Sequence, residues 1–576
     1  MTGGVELLAA GCSVNSVTGS VSGICTAKGS LSLPINYAAI APLFVLGGMA
    51  LVLLLVSAML PKRRYPGLWM GLTALAGLGT VVDGLVQWHD VAGLTLQQQL
   101  TMGDQIFYDQ LSAFFAILFG CATAIGALVS DSYLTREGLD GPEPYILMLA
   151  CSTGAVLMAE AANLISLFLG LEILSIALYT LSAYHNRRTQ SGEAGLKYFI
   201  LGSFASAIFI YGVALVYGAT GSTSYLGIIS FLINTDVVHD GVLLAGLGLL
   251  IVGLGFKVAA VPFHFWSPDV YQGAPTPFVG YMAAVAKAAG FAGLVRVLMQ
   301  ALEPEMSDWR PVIWVLAVAS VLVGSVLALV QVDLKRMLAY SSVSQAGYIL
   351  IALQAGTAQG VTSVCFYLFT YTFMVLGTFA VISVVQGRGE ARNDLSAVRG
   401  LAARNPWLAA GMLVLLLGQA GIPLTSGFLG KWVVISAALQ QGQYALGLIG
   451  MLGAAIAAFF YLRVALLMYM PPTAQSPVVA VAGAGAAGGP GTVLGPVGSG
   501  LAGAYFEEGS DLSAIATAGL EGRDTTLALR LPPGARLRVP PSISAVVGLC
   551  ALFTIFAGVS TPVLSLAHTI TLPWSV

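Results

Sequence analysis

Charge is what this sequence has least of. Only 9% of its 576 residues are Asp, Glu, Lys or Arg, while 57% are hydrophobic. So little charge cannot cover a water-facing globule, which excludes a soluble domain carrying a single anchor. The 24 basic and 26 acidic residues leave a net charge of −2, so there is no basic surface for nucleic acid. The six cysteines, at 12, 25, 121, 151, 365 and 550, form no CxxC pair, and the five histidines are scattered. Both facts argue against an iron–sulfur, zinc or haem site built by this chain alone. Gly246, Gly248, Gly253 and Gly255 imitate a dinucleotide loop, but they lie inside an apolar run with no strand before it. Close helix packing explains them, and no nucleotide or flavin site is found. A basic n-region is also missing, since the first lysine is Lys28. The opening residues therefore read as a non-cleaved extension rather than a signal peptide.

What the chain has is apolar length. Fourteen segments are centred at about residues 48, 77, 118, 152, 174, 207, 251, 289, 320, 345, 373, 418, 455 and 554, each of about 20 residues and able to cross a bilayer core. All should be helices, because a lone strand leaves its backbone groups unpaired in lipid. The reading is an all-α polytopic membrane protein. Its parts are a polar extracytoplasmic leader (1–36), spans 1–3 (37–135), a first five-helix unit of spans 4–8 (140–303), a second of spans 9–13 (309–470), a Gly/Ala/Pro-rich cytoplasmic insertion (471–541), and span 14 with the C-terminus (542–576). Cys12 and Cys25 in the leader could pair in an oxidising compartment or stay as free thiols.

With the first loop taken as cytoplasmic, one face receives Lys62, Arg63, Arg64, Arg136, Arg187, Arg188, Lys335, Arg336, Arg388, Arg392, Arg399 and Arg404, together with the arginines of the insertion. The other face keeps Lys28 and Arg310. This positive-inside bias places both termini outside.

Two spans are interrupted. The seventh carries Phe256-Lys257 and then Pro262, Pro268, Pro275 and Pro277. The twelfth carries Gly421-Ile422-Pro423, Gly427 and Gly430 before Lys431. Proline removes a helical donor, and broken backbone at membrane depth is tolerated only inside protein or beside a cavity. Breaks five spans apart suggest two five-helix repeats, and an odd number of crossings inverts the second, a transporter architecture.

The few charges are placed where they are most costly. Glu172, Lys257, Lys287 and Lys431 each sit inside an apolar stretch. A mid-bilayer charge costs roughly 2.5–3.5 kcal/mol on insertion scales, and such groups mark ion pathways or hold helices together as structural pairs. A closed Glu172–Lys257 pair would retain a proton that an open one releases, with Lys287 and then Lys431 as successive acceptors. His264, seven residues after Lys257, can bridge lysines through water or simply pack. Three weaker candidates accompany them. Lys197, with Glu193, reads as a snorkelling side chain, Asp269 as the cap of a helix restart or a gate for proton entry, and Lys335 with Arg336 as a topology marker. Asp83 and Glu160 fall at outer span ends and read as interfacial.

Several long motifs occur in order. Phe256-Lys257, Pro262-Phe263-His264-Phe265-Trp266-Ser267-Pro268-Asp269-Val270-Tyr271 and Gly273-Ala274-Pro275-Thr276-Pro277 precede Lys287. Asp333-Leu334-Lys335-Arg336-Met337-Leu338-Ala339-Tyr340-Ser341-Ser342 and Gly421-Ile422-Pro423 with Gly427-Phe428 and Gly430-Lys431 follow. Over roughly residues 105–470 the chain resembles the antiporter-like membrane subunits of respiratory complex I, the proton-pumping NADH:quinone oxidoreductase. A lysine rather than a glutamate on the twelfth span is most similar to the subunit N branch. The resemblance implies proton translocation through Glu172, Lys257, Lys287 and Lys431, with His264 between them. It implies no cofactor in this chain, FMN, iron–sulfur clusters and quinone being handled by partner subunits. It also implies other antiporter-like subunits as neighbours and the bacterial plasma membrane as location. The multisubunit cation/proton antiporters are the alternative. One departure is Gln345, where the family often has histidine; a glutamine cannot titrate.

Overall fold

The computed structural model describes residues 13–14, 21–22, 35–59, 67–235, 241–471 and 537–559. Most of the leader and of the 471–541 insertion, with Cys12 and Cys25, lies outside the described residues. Eighteen helices account for nearly all the rest. They are α1 (Ala41–Met59), α2 (Leu68–Asp90), α3 (Gln110–Glu137), α4 (Glu143–Glu160), α5 (Leu164–Ser182), α6 (Thr189–Thr220), α7 (Tyr225–Asn234), α8 (Gly241–Val258), α9 (Trp266–Gly273), α10 (Thr276–Arg296), α11 (Met306–Leu329), α12 (Leu334–Gln354), α13 (Ala358–Val385), the single turn α14 (Leu401–Arg404), α15 (Pro406–Ala420), α16 (Ser426–Gln440), α17 (Tyr444–Tyr469) and α18 (Pro541–Val559). Eleven of the helical segments are long and apolar enough to cross a membrane. α4 and α12 have spanning length with a more polar sequence. The pairs α8–α9 and α15–α16 are the two broken spans. Each expected span has its helix, and α7 is an additional ten-residue apolar helix, too short to cross.

Burial sorts the helices into an interior and a rim. Every residue of α10 is buried, and α3 and α13 are buried almost throughout. A helix apolar on all sides belongs in the interior. α10 packs against α3, α4, α8 and α13, so Lys287 is carried into the centre of the bundle. α1, α2, α6 and α17 turn outward large apolar side chains such as Leu55, Val82, Phe204 and Phe459. In a bilayer these face acyl chains or neighbouring subunits.

The α4–α5 contact depends on two glycines. A Cβ on Gly154 would lie 2.5 Å from the Leu174 nitrogen and 2.6 Å from the Gly170 oxygen. A Cβ on Gly170 would lie 2.8 Å from the Gly154 oxygen. This small-on-small crossing lets two membrane helices touch backbone to backbone, and it sets the depth at which α5 presents Glu172 and Ser175.

The two breaks solve one problem in different ways. Ending a helix in the membrane frees its last carbonyls, which must find donors. At the first break α8 stops at Val258 and Ala259 turns left-handed (φ 58°). The Ala260 nitrogen returns to the Gly255 oxygen (2.9 Å), the Trp266 indole donates to the Phe256 oxygen (2.9 Å), and the Ser320 hydroxyl accepts from the Val261 nitrogen (2.9 Å). At the second, Gly421 takes the left-handed position (φ 83°), and the freed Gln419 and Ala420 oxygens accept from the Lys431 ammonium at 3.2 and 2.7 Å.

At the arginine-rich end, the loop after α13 ties the two halves together. Glu390 (φ 52°) is buried there. It accepts from Arg188 (2.7 Å), from Lys335 (2.7 Å) and from the Thr276 nitrogen at the start of α10 (2.8 Å). Its neighbour Gly389 donates its amide to Glu137 at the end of α3 (2.9 Å). Burial alone would raise the Glu390 carboxyl, but Lys335 and Arg188 outweigh it and hold it down to about 2, against an ordinary 4.5. Lys335, a topology marker by its place beside Arg336, thus has a structural partner as well. It is fully buried and also donates to the Ala274 oxygen (2.8 Å).

Two outcomes follow from this packing. Gly154→Val should lower the melting temperature of the detergent-solubilised protein more than Gly154→Ala, because a branched side chain meets backbone that cannot retreat. Glu390→Ala strands two buried cations and should cost about 3–5 kcal/mol, read as a fall in the same melting temperature. Because the folded carboxyl sits below its ordinary value, the wild-type contribution is complete above pH 4.5 and is lost as pH falls through about 2.

Candidate functional site

The buried charges form a row through the centre. At its first end, Glu172 on α5 is half-buried, and one carboxylate oxygen has no hydrogen-bond partner among the described residues. Lys257 lies at the end of α8, buried. It does not close directly on Glu172. Its ammonium donates to the Ser175 hydroxyl (2.8 Å), one turn along α5 from Glu172, and lies 5.6 Å from the centre of the Tyr198 ring. Ser175 in turn donates to the Leu171 oxygen (2.5 Å). The expected pair is thus open, the Lys257 ammonium resting on Ser175 instead.

In the middle, Lys287 on α10 donates to the Ser342 oxygen of α12 (2.5 Å) and lies 5.9 Å from the Tyr371 ring. The Tyr271 and Ser342 hydroxyls are 3.4 Å apart beside it. At the far end, Lys431 on α16 holds the carbonyls freed at the second break and lies 5.0 Å from the Tyr348 ring. Each lysine therefore has one or two polar contacts and an aromatic face. Cation–π contact of this kind stabilises a desolvated ammonium by about 2 kcal/mol.

The region between Lys287 and Lys431 is dense with neutral polar groups. Gln345 of α12 donates to the Gln419 oxygen (3.1 Å) and to the Tyr461 hydroxyl (3.2 Å), and it accepts from the Tyr367 hydroxyl. Gln419 donates to Thr378 (2.8 Å). Ser175, Gln419 and Tyr461 are not among the residues the sequence singles out. Of the three, only Gln419 carried a usable signal, a polar side chain two residues before a predicted break.

The remaining candidates are placed elsewhere. His264 lies in the turn between α8 and α9, 6.3 Å ring to ring from Tyr340. Among the described residues no hydrogen bond joins it to a lysine, and its Nδ1 is buried without a partner. Asp269 stands in the first turn of α9 but makes no capping bond. It pairs with Lys197 (2.9 Å) and Arg336 (2.7 Å) instead. Lys197 also pairs with Glu193 (2.8 Å). These residues line a cavity of about 620 Å³ that opens at the arginine-rich end and reaches Glu390. Glu160, read as interfacial, is fully buried. An unforeseen buried pair joins Arg296 of α10 to Asp109, the N-cap of α3, at 2.5 and 2.7 Å. No cluster of three metal-binding side chains occurs among the described residues.

Residues 161–457 match the family model described as NADH:quinone oxidoreductase/Mrp antiporter, TM. That stretch contains Glu172, Lys257, Lys287 and Lys431. The chain is 40% identical over 440 residues to NADH-quinone oxidoreductase subunit N of Trichlorobacter lovleyi, covering 76% of this chain and 88% of that one. It is 40% identical over 482 residues to the subunit N of Saccharopolyspora erythraea, covering 78% and 92%. Among solved structures it matches a chain of respiratory complex I from Thermus thermophilus with bound aureothin, with a TM-score of 0.68 and 30% identity over 92% of this chain and 99% of that one. It shares the fold of a chain of the Mrp complex from Dietzia, with a TM-score of 0.74 at 19% identity over 93% and 97%. With its two broken spans and its row of buried lysines, the chain belongs to the family of membrane subunits shared by NADH:quinone oxidoreductases and Mrp antiporters.

Proposed function

We propose that this chain is the subunit N type of membrane subunit in a multisubunit NADH:quinone oxidoreductase, and that it moves protons across the membrane. The observation that carries the reading is the row Glu172, Lys257, Lys287, Lys431, whose lysines are held in the interior by one or two neutral polar contacts each rather than by closed ion pairs. A structural ion pair satisfies its charge with an opposite one, as Arg296–Asp109 and Lys335–Glu390 do here. The row lysines instead contact hydroxyls, carbonyls and rings, so each can lose its proton without stranding a counter-charge. The subunit N relatives, matched along most of their length, favour the redox-driven complex over the antiporter reading.

In this account Glu172 and Lys257 form the switch. Rotation of either side chain closes the pair and secures a proton on Lys257. Opening it, as now, frees the proton for Lys287 and then Lys431. Energy for the cycle comes from partner subunits, which hold the FMN, iron–sulfur clusters and quinone site. The chain sits in the bacterial plasma membrane with both termini outside, and the arginine-rich cavity around Asp269 takes up cytoplasmic protons. His264, in the turn between α8 and α9, exchanges protons with the row through water.

Lys257→Met keeps the side-chain volume and removes the charge. In the intact complex, reconstituted into vesicles, it should lower the rate of NADH-driven proton pumping at least about tenfold while the particle still assembles. Near-normal pumping per electron would refute the role. Sodium-dependent proton flux without NADH would replace the reading with the antiporter.

A further inference from the structure

Between Lys287 and Lys431 the row contains no titratable histidine, since position 345 is glutamine. The geometry at that point shows what stands in its place. The carboxamide of Gln345 is fully engaged. Both N–H donors are used, on the Gln419 oxygen and the Tyr461 hydroxyl, and its oxygen accepts from Tyr367. Such a group is locked in orientation and neither takes up nor releases a proton.

Tyr461 of α17, fully buried, is differently placed. Its oxygen accepts from Gln345 at 3.2 Å. Its own proton has two acceptors within reach. One is the Ser341 hydroxyl, adjacent in sequence to the Ser342 whose carbonyl holds Lys287. The other is the Gln419 side-chain oxygen at 3.4 Å, on the residue whose backbone carbonyl holds Lys431. A hydroxyl with one fixed donor and two alternative acceptors can turn between them.

We propose that Tyr461 is the relay hydroxyl between Lys287 and Lys431, with Gln345 as the residue that positions it. The inference rests on the proton-path reading above. The Lys287 ammonium loses a proton through water to the Ser341 hydroxyl, whose own O–H bond breaks as a new one forms at Tyr461. The original O–H bond breaks, and that proton passes, through a water molecule beside Gln419, to the neutral Lys431 amine. Rotation about the C–O bond then turns the new O–H from Ser341 back toward Gln419, ready for the next proton. One proton moves, and no electron is transferred.

The test uses the whole complex in vesicles, comparing NADH-driven proton pumping in Tyr461→Phe, Tyr461→Phe with Gln345→His, Ser341→Ala and Lys431→Met. Tyr461→Phe keeps the ring and should lower pumping several-fold. Adding Gln345→His places a titratable imidazole in the same gap and should restore at least half of it. A purely structural hydroxyl would not be replaced this way, so lack of rescue in an assembled particle overturns the proposal. Normal pumping in Tyr461→Phe with loss in Lys431→Met overturns the relay and leaves the proton path standing. Normal pumping in both overturns the path itself. Should Tyr461→Phe fail to assemble, Ser341→Ala decides, since normal pumping there removes the entry side of the relay.

Discussion

Backbone carbonyls set free inside a membrane are the constraint on which this structure turns. Lipid offers them no donor, so a helix that stops at mid-depth needs protein groups aimed at its end. At the first break the Trp266 indole and the Ser320 hydroxyl serve the interrupted backbone, which leaves Lys257 free to reach across to Ser175. At the second break the lysine itself does this service. The two interrupted spans thus hold their charges differently. Lys257 rests against a movable hydroxyl beside a carboxylate, whereas Lys431 is fixed by a helix end whose partial negative charge favours a cation. That asymmetry suits a path with a switch at one end and a terminal site at the other.

The second element is the way the halves are joined. Glu390 gathers Arg188, Lys335 and the start of α10 in one buried cluster, and Gly389 beside it holds the end of α3. All these contacts converge on a loop that begins where α13 ends, so helices of both halves share one anchor. The anchor lies beside the cavity where Asp269 pairs with Lys197 and Arg336. The polar mouth and the fastening between the halves are therefore parts of one ionic assembly.

Much of this was legible in the sequence. Pro262, Gly421 and Pro423 announced the breaks because a helix cannot pass them unaltered. Glu172, Lys257, Lys287 and Lys431 stood out because charge in an apolar run has few innocent explanations. Neutral polar residues have many. Ser175, Gln419 and Tyr461 looked ordinary, and their roles arise from partners 82, 74 and 116 positions away. The burial of Lys335 was not legible, because the carboxylate that pairs with it comes 55 residues later. For Asp269 the capping role fails because its partners lie on α6 and α12 rather than in its own first turn. Local sequence identifies which side chains are costly, but the fold decides what receives them.

The claim at the centre of this account is that the chain works inside a redox-driven proton pump. The most direct measurement is to tag the chain, isolate it in mild detergent, and assay the particle for flavin, iron and NADH:quinone activity, with proton uptake after reconstitution into vesicles. The account predicts a large particle carrying flavin and iron whose NADH oxidation drives proton movement. A particle without flavin or iron that instead exchanges sodium for protons down an imposed gradient would contradict it.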